Sequence, residues 1–369
     1  MRKNQETVLE INLDALEHNY RYLRSRIKPS TKFLAVVKAF AYGSAANAVA
    51  KKLEALGVDY FAVAYAKEGV ALRKAGVKAP IMVLHPQMGN CREIVEHCLE
   101  PCLYSLRILE GFLKTAKSAG QRAYPVHLKF NTGLNRLGFG GKDIKAIKEH
   151  AKRCPQIQIR SVFSHLAASD DKNEATFTHG QIHSFQKLAV QLNQALDQAP
   201  FRHILNTSGI INYPEFQMDM VRSGIGLYGF GNDIGVDAAL RPVASLKTTI
   251  SQMHTISAQE TVGYNRAFTA KEKRTTATLP LGHADGIGRQ YGQGKTYVRV
   301  NGSLVPIVGN VCMDMLMIDI TGVDCKEGDE VTVFGEKPTA EEFAATAGTI
   351  SYELLTGISQ RVKRRVIDK

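Results

Sequence analysis

Eight times between residues 33 and 228 a short, unbroken apolar run gives way to a stretch with helical periodicity. That alternation restricts the chain to a parallel α/β architecture. The predicted strands are Phe33–Val37, Tyr60–Tyr65, Pro80–Leu84, Pro101–Ser105, Val126–Phe130, Ile157–Ser164, Arg202–Asn206 and Met220–Tyr228. Their apolar residues run on rather than alternating with polar ones, the pattern of strands covered on both faces. Segments such as Ala46–Leu56 and Ile144–Cys154 lie between them. In the first, Ala46, Val49, Ala50 and Leu53 recur at the spacing that places them on one helix face. Eight units fit a (β/α)8 TIM-type barrel better than an open doubly wound sheet, and one strand fewer would suit the open sheet as well.

After Arg241-Pro242 the helical periodicity fades and β-branched alternation takes over, in Leu246–Ile256, Thr296–Val300 and Leu316–Ile320. The predicted division is therefore a barrel over residues 1–240 and a mostly antiparallel β domain over residues 241–369. No apolar stretch approaches the roughly 20 residues that span a bilayer. The opening MRKNQETVLE lacks the apolar centre of a secretory signal, so the expectation is a soluble, cytoplasmic protein without a membrane partner. None of the six cysteines forms a CxxC pair, and the reading is scattered reduced thiols with no metal site. The net charge of +12 would permit nucleic-acid binding. The basic residues are spread along the chain, however, apart from Arg361, Lys363, Arg364 and Arg365, which read as a solvated tail; no nucleic-acid partner is expected.

Two charged residues stand in costly places, and a tyrosine is singled out beside them. Lys38 directly follows the apolar run of the first barrel strand, at the carboxyl end where barrels of this type build their sites. Desolvation there favours the neutral amine, the form that makes a Schiff base, although a strand-ending lysine can also simply reach solvent. Arg222 falls within the last barrel strand, where it either pairs with a carboxylate such as Asp219 or serves a ligand. Tyr264 taken alone reads as a packed tyrosine.

The blocks VVKAFAYG (Val36–Gly43), KFNTGLNRLGF (Lys129–Phe139), SHLAASD (Ser164–Asp170), HILNTSG (His203–Gly209) and VRSGIGLYG (Val221–Gly229) resemble motifs of the alanine racemases. In the second half ETVGYNRAF (Glu260–Phe268), PLGHADG (Pro280–Gly286), VGNVCMDMLMIDIT (Val308–Thr321) and ISYELLTGISQRVKRR (Ile350–Arg365) continue the likeness in order. The resemblance implies a pyridoxal 5′-phosphate enzyme that racemises alanine by a two-base mechanism and supplies D-alanine for peptidoglycan. Lys38 then holds the cofactor and serves one face of the substrate, while Tyr264 from a second copy of the chain serves the other, which makes a homodimer the expected partner. A free phenol titrates near about 10, so this role needs positive charge close by. By the same resemblance Arg136 and Met313 contact the small amino-acid substrate, Arg222 faces the cofactor's ring nitrogen with His165 in support, and Tyr42 and Tyr352 reach the cofactor. Its phosphate falls among Asn206, Thr207, Gly224 and Ile225, where the loops after the seventh and eighth strands meet. Lys129 matches a lysine carbamylated in some relatives.

Some positions depart from the family's pattern. Phe40 stands where asparagine is usual, Ser44 where histidine is, His283 for a tyrosine, Asn265 for a glycine and Asn310 for an arginine. These bear on substrate range, and the alternative reading is a broad-specificity racemase or a barrel-fold decarboxylase. Decarboxylases of this fold place a carboxylate at the ring nitrogen, so Arg222 favours a racemase.

Overall fold

A strand buried on both faces needs only three or four apolar residues to be fixed in a parallel sheet. The computed structural model forms eight such strands. It describes residues 6–196, 199–231 and 234–368; the first five residues of the opening stretch read above for a signal lie outside these. After β1 (Val8–Asn12) come β2 (Lys32–Val36), β3 (Tyr60–Val63), β4 (Ile81–Val83), β5 (Glu100–Leu103), β6 (Tyr124–Lys129), β7 (Ile157–Phe163), β8 (Phe201–His203) and β9 (Met220–Ser223). The last eight of these pair in parallel in the order β8-β7-β6-β5-β4-β3-β2-β9. The Asp219 amide donates to Arg202 O at 3.1 Å and the Arg222 amide to Leu205 O at 3.0 Å, which brings the two end strands together and closes the barrel. The connecting helices cover it with their apolar faces. In helix Ala46–Ala55 the buried residues are Val49, Ala50 and Leu53, the stripe expected from the sequence.

The second sheet comprises β10 (Ala244–Thr249), β11 (Gln252–Ile256), β14 (Arg274–Leu279), β15 (Tyr297–Val300), β16 (Ser303–Val308), β17 (Leu316–Asp319), β18 (Glu330–Phe334) and β19 (Lys363–Ile367), with β1 added. A small hairpin, β12 (Thr261–Val262) and β13 (Phe268–Thr269), stands apart. The order is β11-β14-β17-β16-β15-β18-β10-β1-β19, antiparallel except where β1 lies parallel to β19. The stretch Leu246–Ile256 is thus two strands rather than one. Its break falls where the Ile250 amide turns to Asp329 O and the Ser251 amide to Thr278 O, sending β10 and β11 to different parts of the sheet.

The C-terminal basic cluster is not a solvated tail. Lys363, Arg364 and Arg365 lie in β19, and each basic side chain has a partner. Arg361 bridges Asp285 and Asp314 at 2.6 Å each, Lys363 meets Glu6 at 3.0 Å, and Arg365 pairs with Glu10. The sequence reading missed this because all four carboxylates lie far along the chain. Among the described residues no helix is long and apolar enough to cross a membrane.

Candidate active site

Lys38 lies two residues beyond β2, at the carboxyl end of the barrel, as its sequence position predicts. The backbone after it is unusual: Ala39, Phe40, Ala41 and Tyr42 all have φ between 52° and 57°. Such left-handed geometry costs about 1–2 kcal/mol per residue for an L-amino acid. The turn is held from two sides. Glu68 takes the Ala39 amide on one oxygen at 2.5 Å and the amides of Ala64 and Tyr65 on the other at 2.7 and 3.1 Å. From the β domain Arg364 donates to the carbonyl of Gly43 at 3.0 and 3.2 Å. Gly43 itself has φ 77°, and a Cβ there would lie 2.1 Å from Leu355 O, so only glycine lets the domains meet at this point. Sequence reasoning gave Glu68 no role and read Arg364 only as part of a solvated basic tail. Burial lowers the pKa of the Lys38 amine, and the nearby Arg136 cation lowers it further, against a smaller opposing pull from Glu68.

Arg222 is 4% exposed, and its guanidinium is not paired with Asp219, which instead holds Arg202 at 3.2 Å. It donates through Nη1 to His203 Nδ1 at 2.8 Å. Through Nη2 it donates to Ser164 O at 2.8 Å, Ile204 O at 3.0 Å and His165 Nδ1 at 3.2 Å. Every one of these acceptors is neutral. Burial brings the Arg222 pKa down to about 10, which leaves it charged at neutral pH. His165 is held well below the ordinary histidine value by burial and then by the charges of Arg222, Arg136, Lys129 and Lys38. These four basic residues therefore surround one spot. Lys129 is itself buried, and its amine is depressed mainly by desolvation. Arg136 is exposed on the loop between Phe130 and Phe139, a segment tied by Asn131 to the amides of Gly133 and Asn135. Its guanidinium has no hydrogen-bond partner among the described residues, which leaves its fork of donors open to a carboxylate.

Beside this cluster Tyr42 stacks on Tyr228 with centroids 4.6 Å apart and lies 6.0 Å from the ring of Tyr352. Its hydroxyl faces the α-carbon of Gly224, where a Cβ would stand only 2.1 Å away. Asn206 caps the turn that follows β8 by accepting from the Gly209 amide at 2.9 Å, and Ser169 donates to the same oxygen at 2.8 Å. The next residue, Thr207, sits 3.0 Å from Ser223 Oγ and accepts from the Gly226 amide. Thr207 thus ties the turn capped by Asn206 to the segment after β9 that carries Gly224 and Ile225. A buried cationic donor, a lysine whose amine is depressed by burial, stacked tyrosines and a glycine approached closely by a hydroxyl suit an anionic aromatic aldehyde such as pyridoxal phosphate.

Tyr264 and Met313 are elsewhere on the chain. They share a cavity of about 570 Å³ lined also by Val262, Gly263, Thr278 and Cys312, and none of its lining residues comes from the barrel. Tyr264 is 70% exposed and Met313 59%. Asn265, in place of the usual glycine, adopts φ 57°, a conformation asparagine tolerates better than most residues. Asn310 donates to the Tyr264 carbonyl at 3.0 Å and is itself held by Gln293 at 3.1 Å. The Met313 carbonyl accepts from the Ala284 amide at 3.0 Å.

Residues 11–231 match the family description "Alanine racemase, N-terminal domain" and residues 243–366 "Alanine racemase, C-terminal domain". The chain is 36% identical to alanine racemase 2 of Caldanaerobacter subterraneus subsp. tengcongensis, over 97% of this chain and 94% of that protein. It is 35% identical to the alanine racemase of Treponema denticola, over 97% of each. Among solved structures, the alanine racemase of Clostridium difficile 630 superposes with a TM-score of 0.92 at 33% identity, covering 99% of this chain and 96% of that one. That of the D-cycloserine producer Streptomyces lavendulae gives 0.94 at 29%, covering 100% and 98%. The match spans both domains at once, and the chain belongs to the alanine racemase family.

Proposed function

We propose that the chain interconverts L- and D-alanine in the cytoplasm, supplying D-alanine for peptidoglycan, with pyridoxal 5′-phosphate held by Lys38. In this reading it works as a homodimer. Residues 1–240 hold the cofactor, and residues 241–369 deliver Tyr264 and Met313 to the other copy's site. The observation that carries it is Arg222, a buried guanidinium with neutral acceptors only, in the same cationic cluster as Lys38. The bound cofactor supplies the electron sink that makes a substrate Cα–H acidic.

Each residue then has a task. Arg136 orients the substrate by clamping its carboxylate. Lys38 Nζ, its pKa lowered by burial, can take the Cα proton on one face, and Tyr264 Oη can return one on the other. Arg222, which only donates hydrogen bonds, would leave a bound ring nitrogen unprotonated and so would limit the electron sink and disfavour transamination. Asn206, Thr207, Gly224 and Ile225 hold the phosphate, and Tyr42 and Tyr352 pack the cofactor in place. The exposure of Tyr264 and Met313 on a single chain supports their use by a second copy.

The test is incubation with L-alanine in heavy water, followed by chiral analysis. Deuterated D-alanine is the expected product; unlabelled, unchanged L-alanine overturns the assignment.

A further inference from the structure

The interior of the barrel carries a continuous chain of polar side chains that the reaction as derived does not use. Glu100, at the start of β5, lies 2.8 Å from His127 Nε2 in β6. His127 Nδ1 is 2.7 Å from Ser161 Oγ in β7, its direct cross-strand neighbour. Ser161 Oγ is 2.9 Å from His203 Nε2 at the end of β8, and His203 Nδ1 receives Arg222 Nη1 from β9 at 2.8 Å. Glu100, His127, Ser161 and His203 are all buried. The contacts run from the end of the barrel opposite the site, across five neighbouring strands, to the guanidinium.

Elementary hydrogen-bond chemistry gives this chain a direction. A guanidinium only donates, so His203 Nδ1 must be a bare acceptor and its proton must sit on Nε2, facing Ser161. At the far end an ionised carboxylate only accepts, so His127 carries its proton on Nε2, facing Glu100. His127 Nδ1 is then an acceptor, and Ser161 fills it with its single hydroxyl proton while accepting from His203. Every donor points toward Glu100, and no group is left over. Were His127 doubly protonated instead, Ser161 would accept twice and its own proton would have no acceptor in the chain. Burial and the adjoining charge of Arg222 also hold His203 well below the ordinary histidine value, so its lone pair remains available.

We propose that Glu100, His127 and Ser161 are positioning residues: a one-way hydrogen-bond relay anchored on the Glu100 carboxylate locks His203 in the tautomer that accepts from Arg222, and so fixes the guanidinium at the cofactor's ring nitrogen. The proposal rests on the assignment of Arg222 given above. It makes Glu100→Gln a sharp perturbation despite near-identical shape. A glutamine can donate as well as accept, which allows the relay to run in reverse. The reversed relay puts a proton on His203 Nδ1, directly against the Arg222 N–H.

The experiment uses the cofactor-free and loaded full-length protein labelled with ¹⁵N-histidine, in wild type, Glu100→Gln and Ser161→Ala. In wild type the imidazole nitrogen shifts should report one tautomer for His203, with Nδ1 bare; both variants should show a mixture, while circular dichroism and the thermal transition confirm a folded chain. In the loaded enzyme kcat should fall about tenfold, as for other supports of a ligand-holding residue, with the KM for alanine nearly unchanged. The fraction of bound cofactor converted to its amine form per turnover should rise. An unchanged His203 tautomer in both variants overturns the relay, as does an unchanged partition between racemisation and transamination. Absence of racemisation in wild type would instead sink the assignment of the reaction and leave the tautomer measurement standing.

Discussion

Replacing Glu68 by alanine tests whether the left-handed turn after Lys38 is imposed by its surroundings. Four consecutive residues with φ above 50° store about 4–8 kcal/mol at about 1–2 kcal/mol each. The Glu68 carboxylate opposes this with three backbone N–H bonds. Bonds to a charged acceptor contribute about 1.5–3 kcal/mol apiece, and the half-buried position puts them at the low end, so the set amounts to about 4–5 kcal/mol. Losing it leaves the turn supported by Arg364 and by the contact at Gly43, which is insufficient to hold the full strain. Residues 38–43 should relax while the barrel stays folded, since most of its stability comes from the buried strands. At about 1.4 kcal/mol per tenfold, the expected loss in kcat/KM is roughly a thousandfold. Glu68→Gln should lose less but still be impaired, because its amide N–H must confront one of the backbone N–H groups. The assays are steady-state racemisation and borohydride trapping of pyridoxal phosphate with peptide mapping of Lys38. Wild-type turnover and trapping in Glu68→Ala would show that the turn is self-supporting and that this argument is wrong.

Arg136→Met removes the second of the two influences that depress the Lys38 amine. A lysine whose folded-state pKa is lowered is neutral at lower pH than usual, so removing the cation should move the pH midpoint of Lys38 acylation in the cofactor-free protein upward. Burial should still keep that midpoint below the ordinary lysine value, and the KM for alanine should rise; a midpoint that stays put or falls refutes the cluster. Mixed dimers of Lys38→Ala and Tyr264→Phe chains test the shared site. If Tyr264 serves the other copy, one of the two sites in each mixed dimer regains both groups and activity returns, whereas a site built within one chain stays dead in every combination.

The barrel was legible because its strands announce themselves locally. Even β4, only Ile81–Val83, sits in an apolar run that nothing but a doubly covered strand explains. The β domain was legible only as a class. Alternation says that a face is buried, not which strand it pairs with, so Leu246–Ile256 gave no sign of its break, and Val8–Asn12 gave none of its place between β10 and β19. The same blindness to distant partners turned the ion-paired Arg361–Arg365 segment into an expected tail.

Within the site the division runs along chemical lines. Lys38 and Arg222 stood out as charges in costly strand positions, whereas Arg136 and Tyr264 were proposed only through the resemblance of their surrounding blocks to family motifs. Glu68, Arg364, Glu100 and Ser161 act through hydrogen bonds to a backbone amide, a backbone carbonyl or another support. Many residue types could supply such bonds from many places, so no sequence pattern marks them. Yet each supports a group that the proposed reaction depends on. The strained turn at Lys38 and the tautomer of His203 are each states that the local chain would not adopt unaided, and a residue distant in sequence selects each. A chain could therefore keep every reacting group and still be slowed about tenfold or more through Glu68 or Glu100 alone.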